Sequence, residues 1–187
     1  MTLPSSAWLG LAYALSEAGL TVIKRSKGDA ASSDRGSMAL LWIVIIASVG
    51  VSMYVRATTP WADVDTLHRL RLVWLAGFVA SLGLRWWAIA HLGRFFTVNV
   101  AIAADQVVID DGPYRWVRHP SYTGALLAFL FYALYAGHWI ALLVVMAPIT
   151  AAFLQRIRIE EAALSAGLGE PYRAYMRRTK RLVPFVF

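Results

Sequence analysis

The run ALLAFLFYALYAGHWIALLVVMAPITAAFL, residues 125–154, decides the fold. A helix crosses the hydrocarbon core of a bilayer in about 20 residues. Thirty apolar residues are therefore too many for one crossing. Gly137-His138 interrupts the run near its middle. Two tightly joined helices, roughly 121–136 and 138–156, account for this pattern. Composition agrees. The chain is 59% hydrophobic, where a soluble domain is about 45–50% apolar. Its mean hydropathy is +0.56. Eight Trp and eight Tyr suit the aromatic belts at the two membrane surfaces. These features predict an integral membrane protein, and 187 residues leave no room for a second, soluble domain.

Working back toward the N-terminus, three more apolar stretches precede this hairpin. The first runs from Trp8 to Ile23 and ends in Lys24-Arg25. It lacks a positive start and a small-residue cleavage site, so it is expected to be a retained span. Glu17 lies inside it. An intramembrane carboxylate faces a protein partner or a polar cavity. A polar loop over 26–37 is expected next, then a second span from Met38 to Val55 and a third from about Leu70 to Leu92. Arg85 falls in the last turns of the third span and is expected to snorkel to the interface. From Gly93 to Tyr122 the pattern changes. Gln106-Val107-Val108-Ile109 is rich in β-branched residues, which suggests extended structure.

The net charge is +7, from 18 basic and 11 acidic residues. The basic residues cluster in short loops beside apolar spans. That pattern sets topology and attracts anionic lipid, and it argues against nucleic acid as a partner. Five spans place loop 24–36, segment 93–119 and the tail after residue 156 on one side. By the positive-inside rule that side is cytoplasmic, with the N-terminus outside. The predicted fold is therefore an all-α membrane protein of about five transmembrane helices. Residues 1–92 form a three-span region. Residues 93–187 form a core made of a loop, a helical hairpin and a C-terminal helical cap on the cytoplasmic side.

The chemistry concentrates on that side. Gly112-Pro113-Tyr114-Arg115-Trp116-Val117-Arg118-His119-Pro120-Ser121-Tyr122-Thr123-Gly124 is polar, aromatic and basic at once. Composition alone also fits a juxtamembrane anchor. The rigid turn residues and the His-Arg content fit a loop that holds an anionic or polar ligand. Arg156 and Glu160 are four residues apart on the emerging helix and share a face, as an ordinary helix ion pair would. An Arg fork at this place can hold a substrate carboxylate. Other chemistries find little support. There are no cysteines, so there is no disulfide, thiolate nucleophile or Cys-ligated metal. Gly167-Leu168-Gly169 follows a helix and does not complete a dinucleotide fingerprint. His68, His91, His119 and His138 form no helical metal motif, so no metal is expected. Ser121 lacks a nucleophile-elbow context.

The ordered set of motifs resembles the isoprenylcysteine carboxyl methyltransferase family and, in general pattern, the phospholipid methyltransferases. It runs from the 112–124 stretch through a helical hairpin to Arg156-x-x-x-Glu160-Glu161. Gly169-Glu170-Pro171-Tyr172-x-x-Tyr175 and Val183-Pro184-Phe185 complete it. The resemblance covers the C-terminal half. It implies methyl transfer from S-adenosylmethionine to a lipophilic acceptor that enters from the bilayer, by default the carboxylate of a prenylcysteine-like substrate. By the same resemblance the backbone of Gln106, Val107, Val108 and Ile109, with Tyr114, His119 and Tyr122, contacts the cofactor. Arg156 and Glu160 stand at the acceptor end as the catalytic pair. Arg118 and His119 suit the cofactor carboxylate, and the aromatic rings suit adenine or the sulfonium. The first 90 residues carry no prenylcysteine signature. O- or N-methylation of a phenolic lipid or phospholipid therefore stays open. So do an NADPH-dependent membrane reductase, whose relatives carry further spans, and a non-catalytic lipid-binding protein. A bacterial-type cytoplasmic membrane is the expected location.

Overall fold

The hairpin forms where the apolar run requires it. In the computed structural model, which describes residues 4–23, 35–97 and 105–187, α5 spans Pro120–Ala136 and α6 spans Trp139–Leu168. Gly137 ends α5 in the left-handed region, at φ 77°, a conformation that costs glycine little. His138 then caps α6. Its Nδ1 accepts from the Ala141 N–H at 3.1 Å, so Nε2 carries the proton and donates to the Thr59 carbonyl at 2.9 Å. One imidazole thus starts a helix and ties the hairpin turn to the preceding loop.

The remaining helices are α1 (Ser6–Ile23), α2 (Arg35–Thr58), α3 (Asp65–Arg69), α4 (Arg71–Leu92) and α7 (Glu170–Arg178). Residues 36–58, 71–95 and 139–168 are each long and apolar enough to cross a membrane. α1 and α5, at 18 and 17 residues, are shorter. Leu15, Ile43, Ile46, Val79 and Leu143 point outward and are exposed. In lipid such a surface needs no cover. Inside, Tyr13, Leu41, Ile45, Phe78, Phe129, Val145, Ile149 and Phe153 pack into one core.

α4 and α5 approach backbone to backbone. A Cβ on Gly124 would lie 2.8 Å from both Arg85 N and Ser81 O, closer than real contacts allow. This crossing explains the placement of Arg85. The sequence suggests that it snorkels, but it is buried. Its Nε and Nη2 donate to the two oxygens of Glu17 at 2.6 and 2.7 Å, and its Nη1 donates to the Ser121 carbonyl at 3.0 Å. With α5 so near, no path to the interface is open. A doubly hydrogen-bonded carboxylate satisfies the charge in place. Glu17 therefore has the protein partner expected of an intramembrane acid.

The polar loop expected over 26–37 lies outside the described residues up to Asp34, as do residues 98–104 of the segment expected to be extended. The described part corrects that expectation. Residues 106–110 form no strand, and the chain turns through one 3-10 turn at Gly112–Arg115. The β-branched residues face a cavity and find no neighbouring strand to pair with there. A single parallel bridge joins Val117 to Lys180.

Candidate active site

The helices bring Ser37, His91, His119 and Arg156 to one end of the bundle. At that end α6 continues past the apolar run and α7 folds back beneath it. Gly169, at φ 64°, makes the bend. The Tyr175 hydroxyl donates to the Tyr114 carbonyl at 2.7 Å, and the Tyr114 hydroxyl donates to the Ala88 carbonyl at 3.2 Å. These bonds stack cap, loop and α4 in sequence. Burial pushes the Tyr114, Tyr172 and Tyr175 phenols upward, and nearby Glu160 adds to the first two, so all three stay neutral. His91 latches the loop from its other side, 2.7 Å from Asp111.

Between these parts lies a cavity of about 820 Å³, counted out to its open mouth. All ten residues singled out from the sequence line it: Gln106, Val107, Val108, Ile109, Tyr114, Arg118, His119, Tyr122, Arg156 and Glu160. Residues 106–109 form one edge. α6 supplies a ridge of Arg156, Glu160, Leu164 and Leu168 at helical spacing. The two leucines were not singled out from the sequence, yet continuing the four-residue step from Arg156 and Glu160 finds them. Tyr172 and Tyr175 close the cap side, and Phe95, Phe96 and Thr97 close the α4 side.

Arg156 and Glu160 are joined through a third residue. The Tyr122 hydroxyl donates to Glu160 Oε2 at 2.7 Å and accepts from Arg156 Nε at 3.0 Å. Arg156 Nη1 donates to the Ser37 hydroxyl of α2 at 3.0 Å, a partner that no sequence pattern indicates. The His119 ring stacks on Tyr122, with centroids 5.5 Å apart and planes 12° from parallel.

Arg118 has a different setting. Its Nε donates to Glu161 Oε1 at 2.8 Å, and its Nη1 donates to the carbonyls of Met176 and Thr179. Glu161 Oε2 accepts from Arg181 at 2.9 Å, and His119 Nε2 lies 3.4 Å from Oε1. Arg118 touches the cavity while most of its guanidinium holds the cap in place. Glu161 organises this cluster, although in the sequence it reads only as the neighbour of Glu160.

A second cavity, of about 550 Å³, lies among the spans. Its walls include Tyr13, Glu17 and Leu20 of α1, Met38, Leu41, Trp42 and Ile45 of α2, and Phe153 of α6. Phe96, Thr97, Tyr122 and Arg156 line both cavities. The two spaces therefore adjoin at the Tyr122–Arg156 pair, one facing the loop and cap, the other facing the bilayer. No cluster that could hold a metal ion occurs among the described residues.

The fold and this pair of cavities define a small polytopic helical membrane protein with a polar chamber at one end of its bundle. The model of the isoprenylcysteine carboxyl methyltransferase family matches residues 73–166, and the chain belongs to that family. The match starts inside α4, earlier than the motifs indicate, and stops before the 169–185 tail. The protein-S-isoprenylcysteine O-methyltransferase of Schizosaccharomyces pombe is 31% identical over 53% of this chain and 43% of its own length. The methanethiol S-methyltransferase of Mycobacterium tuberculosis is 29% identical over 79% of this chain and 54% of its own. The chain thus spans about half the length of these relatives. A solved structure of a eukaryotic intramembrane Ras methyltransferase, an isoprenylcysteine carboxyl methyltransferase, superposes with a TM-score of 0.64 at 24% identity. It covers 79% of this chain and 53% of that one.

Proposed function

We propose that this chain is a membrane methyltransferase that uses S-adenosylmethionine and methylates a lipophilic acceptor, by default the carboxylate of a prenylcysteine-like molecule. The observation that carries the reading is the pair of adjoining cavities, which share Tyr122 and Arg156. The larger has the aromatic and apolar walls an adenine needs, in Leu164, Leu168 and Tyr172, beside the polar groups of His119 and Glu160. Its lining fits the cofactor, with His119 and Glu160 as polar partners and Tyr172, Leu164 and Leu168 as apolar ones. When bound, the cofactor supplies a methyl group already activated on a sulfonium sulfur.

The protein's share is then alignment and exclusion of water. The Tyr122 ring, braced by His119 and by Phe153 at 5.4 Å, offers a flat face to a cation. Arg156 holds the acceptor carboxylate where the cavities meet. Glu160, through the Tyr122 hydroxyl, keeps that guanidinium aimed. A carboxylate is ionised at neutral pH, so this acceptor needs no general base. The membrane-side cavity takes the apolar chain. On this reading residues 1–92 supply most of the acceptor wall and residues 93–187 nearly all of the cofactor wall. The basic loop end faces the cytoplasm of a bacterial-type membrane, by the charge asymmetry of the loops.

The test is to incubate detergent-purified protein with methyl-labelled S-adenosylmethionine and either a farnesylcysteine analogue or a total lipid extract. Base-labile label in a lipophilic product supports the carboxyl reading. A thiol acceptor is the second reading, favoured by the likeness to the mycobacterial enzyme over 79% of the chain. It predicts base-stable label. No binding of the cofactor by calorimetry would overturn both.

A further inference from the structure

The segment after α7 is apolar, outward-facing and fixed in place. The Phe185 and Val186 side chains are 83% and 74% exposed, and Trp116 beside them is 54% exposed. Trp116 and Phe185 meet edge to face at 6.4 Å. In water such a patch would be a liability. Yet the backbone is held firmly. The Arg118 and His119 N–H groups donate to the Lys180 and Arg181 carbonyls at 2.7 and 3.0 Å, and the N–H groups of Leu182 and Val183 both donate to the Phe187 carbonyl. Phe185 sits at φ 65°, an uncommon conformation for a residue with a side chain. The segment is a closed turn that displays its apolar side chains.

Its depth can be read from α5. Seventeen residues make a helix of about 25 Å, shorter than the ~30 Å hydrocarbon core. Centred in the core, such a helix ends within a few ångströms of each boundary, which puts the first turn of α5 there. Thr123 belongs to that turn, and its hydroxyl donates to the Leu182 carbonyl at 2.8 Å. The tail turn is thus tied to the boundary on the outer side of the bundle. Two exposed cations flank it. Arg115 lies over Trp116 at 5.8 Å, and Lys180 is bridged to Val117. The other nearby arginines are engaged: Arg178 with Asp110, Arg177 with Glu170 and Arg181 with Glu161.

We propose that the 182–187 turn, with Trp116, is an interfacial anchor that buries Phe185 and Val186 in the acyl boundary of the bilayer and places Arg115 and Lys180 against anionic phosphates. Aromatic rings at headgroup depth with flanking cations form the pattern by which a surface element holds to an anionic leaflet. The anchor is continuous with the site, because its Lys180 and Arg181 carbonyls receive the backbone of Arg118 and His119.

The chain has no cysteine, so Val186→Cys carries a single environment-sensitive fluorophore. The protein is reconstituted in vesicles of phosphatidylcholine and phosphatidylglycerol at three to one, with or without bromine at the upper acyl carbons. The expected result is a blue-shifted emission and roughly twofold quenching by the brominated lipid. In pure phosphatidylcholine the quenching is weaker, and Arg115→Gln with Lys180→Gln abolishes the difference. Emission that ignores bromine but is quenched by aqueous iodide overturns the anchor and leaves this face to a protein partner or a second copy. Equal quenching in both lipid compositions overturns the anionic preference. Phe185→Cys gives the same readout if Val186→Cys does not purify as a folded protein by gel filtration. None of these measurements requires a methyl donor, so the anchor and the methyl-transfer reading fail separately.

Discussion

Two polar clusters draw on neighbouring residues of α6. Around Glu161, charges fill their space: Arg118, Arg181 and His119 surround one buried carboxylate, and the Met176 and Thr179 carbonyls take up Nη1 of Arg118. Around Tyr122, polar groups line a space: Arg156, Glu160 and the phenol hydroxyl face the two adjoining cavities. Adjacent residues of one helix, Glu160 and Glu161, thus serve opposite ends. The first cluster holds the cap closed and the second leaves room for a ligand. In a chain this small, an ion pair near a cavity is not by itself evidence of catalysis.

The largest expected effect breaks the closed cluster. Glu161→Gln leaves buried Arg118 without its carboxylate and should cost about 3–5 kcal/mol, read as a lower thermal midpoint in detergent with loss of cofactor binding. Arg156→Ala should do the reverse. It lowers methyl transfer by about 100-fold, roughly 2.7 kcal/mol of transition-state stabilisation, while the melting midpoint falls less than for Glu161→Gln. If Arg156→Ala unfolds the protein and Glu161→Gln does not, the division of labour between the clusters is wrong. Gly124→Ala probes the scaffold that both share. A methyl group there pushes α4 and α5 apart and should cost about 1–3 kcal/mol, seen in the same melting assay.

The smallest effect concerns the latch between His91 and Asp111. The hydrogen bond from His91 holds the Asp111 carboxyl below its usual range. A lowered carboxyl pKa stabilises above the unfolded value and is lost as pH falls through the folded one. Loop 105–115 should therefore keep its hydrogen-exchange protection from pH 7 to 5 and loosen only below about pH 4. Asp111→Asn should abolish that acid-induced step.

The sequence makes much of this legible. Hydropathy and the Gly137-His138 break give the crossings, because a bilayer imposes length and apolarity on each one. The Arg156–Glu160 spacing and the 112–124 stretch give the residues of the chamber, because each has a local pattern. What local patterns do not carry is pairing across the chain. Arg85 reads as a snorkelling residue because its carboxylate partner lies 68 positions earlier. Arg118 is legible as a residue of the chamber it lines, but its partners, Glu161 and the tail carbonyls, converge only in three dimensions. Residues 106–109 look like a strand because β-branched side chains suit any extended apolar edge, including that of a cavity.

The Gly137–His138 turn also bears on how the protein is made. A 17-residue α5 is a poor candidate for entering the bilayer alone, and His138 binds its turn to the loop before α3. The hairpin should therefore insert as one unit. It carries Tyr122 on its first leg and Arg156 on its second. Pairing the two legs brings the Tyr122–Arg156 hydrogen bond together, so the seam between the two cavities forms when the hairpin does.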